Sequence, residues 1–181
     1  MARPNKRALI LEAAAQIVAT SGASHLTIDA VAAAACVSKG GVLYHFSTKQ
    51  ALLEGMLARL LEQIDGRTAA LREDRAQGSG GTIVARIIEQ HEQQPGERAM
   101  SRAILAAAAE DPALLDPARA SVRKAFDDAA AGSSPPELGW VLLLAVEGLR
   151  FFEMLDLLPM SEAERDRIHQ HLLDLAGGQG S

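Results

Sequence analysis

Residues 37–53 read VSKGGVLYHFSTKQALL, and the adjacent glycines in this stretch need a reason. Glycine inside a helix is disfavoured by about 1 kcal/mol relative to alanine. Ser38 is nevertheless a good N-cap for a short helix reaching about His45, with Gly40 and Gly41 inside it. A chain that keeps two glycines there gains close approach of its backbone to something outside. Upstream, Thr27 caps another short helix, TIDAVAAAA, and Asp29 lies in its first turn, where the helix dipole favours a carboxylate. Only Cys36, Val37 and the cap Ser38 separate the two. Short helices joined that tightly cross steeply, as a helix-turn-helix does. Ala32 supplies the small residue at the crossing. Cys36 falls at the turn, a left-handed position that glycine fills most easily. Val42 packs the second helix back onto the first.

That arrangement directs the remaining side chains. With Val42 inward, Lys39, Gly40, Gly41 and Tyr44 lie on other faces, near the end that a recognition helix presents to base edges in the major groove. The free N–H groups of the helix N-terminus suit a phosphate. Tyr44 and His45 can donate hydrogen bonds to backbone oxygens. Lys49 sits in the first turn of the next helix, where a cation opposes the dipole unless a phosphate faces it. Ser47 and Gln50 have the spacing of a capping box for that helix. It continues through Leu57, Leu60, Leu61 and Ile64 towards Arg75 and stops before GSGG at 78–81.

The charge distribution agrees with an anionic partner at one end. The 181 residues carry a formal charge of −5, but positions 1–50 hold five basic residues against two acidic ones. The chain is rich in alanine and leucine and 48% hydrophobic, with little β-type alternation, so an all-α fold is expected. The longest apolar run, LGWVLLLAVEGLRFFEMLDLL, is interrupted by Glu147, Arg150 and Glu153, so it reads as a buried helix and not a membrane span. The basic, then amphipathic N-terminus is a poor signal peptide. One cysteine excludes an intrachain disulfide framework and a multi-cysteine metal site. A cytoplasmic protein with no membrane partner is the expectation.

The run from Leu26 to Leu53, LTIDAVAAAACVSKGGVLYHFSTKQALL, resembles the DNA-binding segment of the tetracycline-repressor (TetR) family. Val37-Ser38 match its turn, and Phe46, Lys49 and Leu52 match its tail. Two positions depart from the pattern. Cys36 replaces the usual turn glycine, and the tyrosine falls one place late, so that Leu43 occupies its former position. The resemblance implies that Thr27, Ser38, Lys39, Gly40, Gly41, Tyr44, His45 and Lys49 meet double-stranded DNA. Ala32, Cys36, Val42 and Phe46 would pack the helix-turn-helix. It also implies a dimeric repressor released from a palindromic operator by a small molecule.

The expected architecture is all-α, with about nine helices. A three-helix DNA-binding domain spans 5–65, with its helix-turn-helix at about 27–46, and a helical effector-binding and dimerisation domain spans 66–181. The later helices are expected near 82–94, 97–109, 112–131, 136–156 and 161–176, the last with a capping box from Ser161 and Glu164. The helix beginning near Pro136 is apolar almost all round and needs burial on every side. A subunit interface would supply it, with Trp140, Leu143, Phe151, Ile168 and Leu172 as its residues. Burial inside one subunit is the alternative. Met56, Leu60, Arg86, Met100 and Arg102 are candidates for an effector pocket, the arginines as anchors for an acidic ligand.

Other features point nowhere special. Glu89, His91 and Glu92 diverge around a helix and read as a solvated polar face, not a metal site. His169 and His171 cannot share a face. Cys36 reads as a small buried turn residue, and the methionines as core filler. No cofactor and no metal are expected. An enzyme would need an activated nucleophile or a paired acid and base, and no such spacing is present. A DNA-binding regulator without an effector is the remaining alternative.

Overall fold

A computed structural model describes residues 5–74 and 81–178, and among these the regular structure is entirely helical. The α-helices are α1 (Lys6–Ser21), α2 (Ile28–Ala34), α3 (Lys39–His45), α4 (Lys49–Asp74), α5 (Gly81–His91), α6 (Pro95–Ala108), α7 (Asp116–Ala131), α8 (Pro136–Met154) and α9 (Glu162–Ala176). Single 3-10 turns occupy Ala23–His25 and Pro112–Leu115. The helix expected over 112–131 is thus two pieces. Asp111 caps the 3-10 turn through its bond from the Ala113 N–H at 3.1 Å, and α7 begins only at Asp116. The end of α4 near Arg75 and most of the GSGG breaker lie outside the described residues. None of the described helices is long and apolar enough to cross a membrane.

The chain forms two compact units. One takes the chain up to Leu60 together with Gln94–Pro117, and the other takes Leu61–Gln93 and the chain from Ala118 onward. The N-terminal unit therefore includes α6, which packs along α1. Its core is apolar, with Ile10, Ala14, Leu26, Val31, Val42, Phe46, Leu52 and Met56 all buried. Gly55 lets α4 come close. A Cβ there would stand 2.5 Å from a Phe46 ring carbon and 3.3 Å from Leu11. Arg7 lies over the same ring, 5.2 Å from its centroid, as a cation–π partner. Arg59 on α4 bonds the Ala8 carbonyl at 3.1 Å and pairs with Glu12, fastening α4 to α1.

The second unit packs α5 against α8 and α9. Ile83, Ile87, Ala129, Leu142, Leu143, Val146 and Leu172 form its apolar core. Gly139 permits the closest approach in this unit, because a Cβ there would lie 2.2 Å from the Ala129 carbonyl oxygen. Ser161 and Glu164 form the expected capping box on α9. Two hydrogen bonds from Ser161 hold the Glu164 carboxyl below its ordinary pKa.

Polar groups are buried here as well, and this corrects the reading of Glu89 as solvated. Its carboxylate is fully enclosed between Arg67 and Arg150, each at 2.6 Å. Burial would by itself lower the Arg150 pKa, but Glu147 and Glu89 outweigh it and hold the guanidinium above its ordinary value. Gln90 donates to Glu153 at 3.1 Å and turns its carbonyl oxygen to His169 Nε2. His169 Nδ1 faces the Arg165 carbonyl at 3.0 Å. Both ring nitrogens thus face oxygen acceptors, and a neutral imidazole has an N–H for only one of them. Burial nevertheless pushes the His169 pKa below 6.5; the Arg165 carbonyl and Glu153 oppose the shift, while nearby His91 and the Arg165 charge add to it.

Candidate nucleic-acid interface

The helix-turn-helix assembles from local rules. Thr27 Oγ1 accepts the Ala30 N–H at 3.1 Å and starts α2. At the other end of α2, the Val37 N–H reaches the Ala32 carbonyl at 3.0 Å and the Cys36 N–H reaches Ala33 at 3.2 Å. This pair of bonds is a Schellman ending, which needs a left-handed residue. Cys36 takes that position with φ 53°. The turn geometry is as the sequence suggests, but the Cys36 side chain is exposed, not buried. A left-handed residue ending a surface helix turns its side chain towards water. Ser38 Oγ then accepts the Gly41 N–H at 3.0 Å and opens α3.

Val42 is completely buried and holds α3 against α2, while Ala32 and Phe46 are buried beside it. Thr27, Ser38, Lys39, Gly40, Tyr44 and Lys49 are exposed, whereas Gly41 and His45 are half-buried. Tyr44 is 86% exposed, an unusual degree for a tyrosine that nothing in the fold requires. Its ring meets His45 edge-on, with centroids 5.1 Å apart. Lys39 is engaged with Asp29 of α2 at 3.0 Å. A Cβ on Gly40 would meet nothing nearer than Ser38 Oγ at 4.0 Å, and one on Gly41 would meet the same atom at 3.3 Å. The fold does not itself demand a bare backbone at Gly40, so an external surface is the better reason for it.

The next helix departs from expectation at its first residues. Thr48, not Ser47, caps α4, its Oγ1 accepting the Ala51 N–H at 3.0 Å. Gln50 is drawn instead to Asp111, at 2.5 Å. Lys49 and Gln50 border a cleft of about 410 Å3 within the N-terminal unit, floored by Leu26, Leu53, Ala103 and Leu114.

The remaining candidate residues are spread over the two units. Met56, Leu60 and Met100 are buried in the N-terminal unit, and Arg102 is exposed there. Arg86 belongs to the second unit, where it bonds Asp65 at 3.1 Å. On α8, Leu143 faces the unit's own core, as does Leu172 on α9, so neither points outward. Helical geometry puts Leu142, Leu143, Val146 and Leu149 on one side, leaving Trp140, Val141, Leu144, Phe151 and Phe152 exposed on the other. Ile168 packs partly buried at the edge of the core. The buried carboxylate Glu89 was missed, because its helix neighbours His91 and Glu92 suggest a wet face and its partners come from distant helices.

A capped helix-turn-helix with an exposed second helix, among described residues whose regular structure is all helical, has the form of a DNA-binding regulator. The sequence comparisons give the family. A profile described as bacterial regulatory proteins, tetR family, matches residues 10–56, and one described as tetracyclin repressor-like, C-terminal domain, matches residues 81–177. The chain belongs to the TetR family of DNA-binding transcriptional regulators. Membership of a family of regulators also removes the enzyme alternative.

Solved structures agree. The multidrug binding protein EbrR, determined with malachite green, is 25% identical with a TM-score of 0.70, over 95% of this chain and 98% of that one. A TetR-family member from Streptomyces coelicolor A3 is also 25% identical, with a TM-score of 0.71 over 93% and 98% of the two chains. A transcriptional regulator from Rhodococcus sp. Rha1 shares the fold at 23% identity and a TM-score of 0.75, over 96% and 95%. No curated protein sequence matches the chain.

Proposed function

We propose that this protein is a dimeric repressor that occupies a palindromic operator and is released from it by a small molecule. The observation that carries the dimer is the outward side of α8. Trp140, Val141, Leu144, Phe151 and Phe152 are each between 42% and 61% exposed, opposite the side that fills the unit's own core. An apolar face of this kind on a regulator is a site of association, and a second copy supplies an identical face across a two-fold axis. Two α3 helices related by that axis enter successive major grooves, about 34–36 Å apart.

In this reading Lys49, Thr27, Ser38 and the α3 N-terminus meet phosphates, and Tyr44 and His45 reach the backbone or a base edge. The effector is a small organic molecule, and within the N-terminal unit the helices that carry Met56, Leu60 and Met100 are where it would be held. EbrR, a 25% identical relative, has been captured with malachite green, ethidium and imidazole, which supports an effector of that size. A ligand that favours the non-binding arrangement by a few kcal/mol releases the operator.

The test is selection of DNA from a random-sequence pool by the full-length protein at two salt concentrations, with the mass of the complex measured by ultracentrifugation. An enriched palindrome, two chains per site and affinity falling steeply with salt are expected. A monomeric complex, or an affinity indifferent to salt, would overturn the reading. Thermal shift against a panel of organic compounds, followed by operator release, tests the effector.

A further inference from the structure

Helix α3 has the sequence KGGVLYH, and its chemistry is poor in the groups that read bases by paired hydrogen bonds. Such readout uses Arg or Lys on guanine, Asn or Gln on adenine, and Asp or Glu on cytosine. Arginine, asparagine, glutamine and both acids are absent from α3, and its one lysine, Lys39, forms an exposed surface pair with Asp29. What the helix exposes is different. Residues four apart share a face, so Gly40 and Tyr44 point away from buried Val42, while Leu43 shares a flank with Lys39. Leu43 is 38% exposed, too open to serve as a core residue. Beside it, the bare Gly40 leaves room for the helix to come close to a surface.

Apolar contact is the one base-reading mode that a leucine offers, and the thymine C5-methyl is the apolar group of the major groove. We propose that Leu43 is a specificity-determining residue that reads a thymine methyl in each operator half-site, and that methyl contact rather than bidentate hydrogen bonding dominates readout by α3. The proposal rests on the repressor reading above and specifies how its DNA site is recognised. Tyr44 adds a single hydroxyl, free to bond a phosphate or one base edge. The half-site is accordingly distinguished by where its thymines stand.

The experiment uses the operator enriched by the full-length protein, resynthesised with each thymine in turn replaced by deoxyuridine, which lacks only the methyl, and each guanine by 7-deazaguanine. Affinities are measured by fluorescence anisotropy for the natural protein and for Leu43→Ala, whose folding is checked by thermal melting. One or two thymines per half-site are expected at which loss of the methyl weakens the natural protein about three- to fivefold, the scale of one buried methyl. At those positions Leu43→Ala should be indifferent to the change. Two results would overturn the proposal: deoxyuridine neutral everywhere while 7-deazaguanine weakens binding, or a methyl effect that survives undiminished in Leu43→Ala. An enriched operator with either result leaves the repressor reading standing. Failure to enrich any sequence overturns that reading, and the Leu43 proposal with it.

Discussion

Val42 in the N-terminal unit and Glu89 in the second are equally shielded from water, yet their surroundings have little in common. Val42 belongs to an apolar core of aliphatic side chains, methionine and one phenylalanine, in which nothing needs a partner. Glu89 is an anion between two guanidinium groups, next to a chain of hydrogen bonds through Gln90, Glu153 and His169. An aliphatic core loses stability in proportion to what is removed. A buried ionic network loses far more when one member goes, because the buried charges it faced lose a counterion. The DNA-binding unit should therefore tolerate graded change, and the second unit should respond abruptly at a few positions.

The largest effect should come from the network. Glu89→Ala leaves Arg67 and Arg150 without their shared carboxylate and is expected to cost about 3–5 kcal/mol in urea unfolding. A loss below 1 kcal/mol would show that water reaches this site and would erase the contrast with Val42. The two close-packed glycines make the next comparison. At Gly139 an added Cβ would meet backbone atoms that have nowhere to go, so Gly139→Ala should cost about 3 kcal/mol, at the upper end for overpacking. At Gly55 the obstacle is the edge of the Phe46 ring, which can turn aside, and alanine improves helix propensity. Gly55→Ala should then cost only about 1 kcal/mol net. Thermal melts of both variants decide whether the second unit is the less forgiving.

Smaller effects sharpen the same contrast. Cys36 holds φ 53° in the turn, a conformation that costs an L-residue about 1–2 kcal/mol. Cys36→Gly should raise stability by about 1 kcal/mol, offset in part by the greater freedom of glycine in the unfolded chain. The smallest effect is a titration. His169 has its folded pKa below 6.5, so the unfolded chain takes up the proton first as pH falls. Its contribution is complete above 6.5 and is lost as pH drops through that value towards the folded pKa. Hydrogen exchange between pH 7.5 and 5.5 should show α5 and α9 amides losing protection on acidification. His169→Gln should flatten that response, and a pH-independent pattern in the natural protein would contradict it.

The DNA-binding segment was the more readable half, and particular residues show why. Thr27, Ser38 and Ser161 act as caps where the sequence suggests, because a cap depends only on neighbours within one turn. The left-handed turn at Cys36 is likewise local. The exposure of its side chain, the transfer of the α4 cap to Thr48 and the capture of Gln50 by Asp111 were not readable. Gln50 and its partner lie 61 residues apart, and no local pattern joins them. The outward orientation of Leu143 and Leu172 failed for a related reason. A helix that is apolar all round does not say which side fills its own core.

By itself, the sequence determined the helical content, the helix-turn-helix with its caps and turn, and the family, since each depends on spacings of a few residues. Tertiary structure alone decided which polar groups are buried, which side of α8 stays exposed, and that α6 joins the N-terminal unit along α1. Those outcomes rest on contacts between residues far apart in the chain. Whether Glu89 meets water or two guanidinium groups depends on where Arg67 and Arg150 are carried by other helices, and helical periodicity holds no record of that.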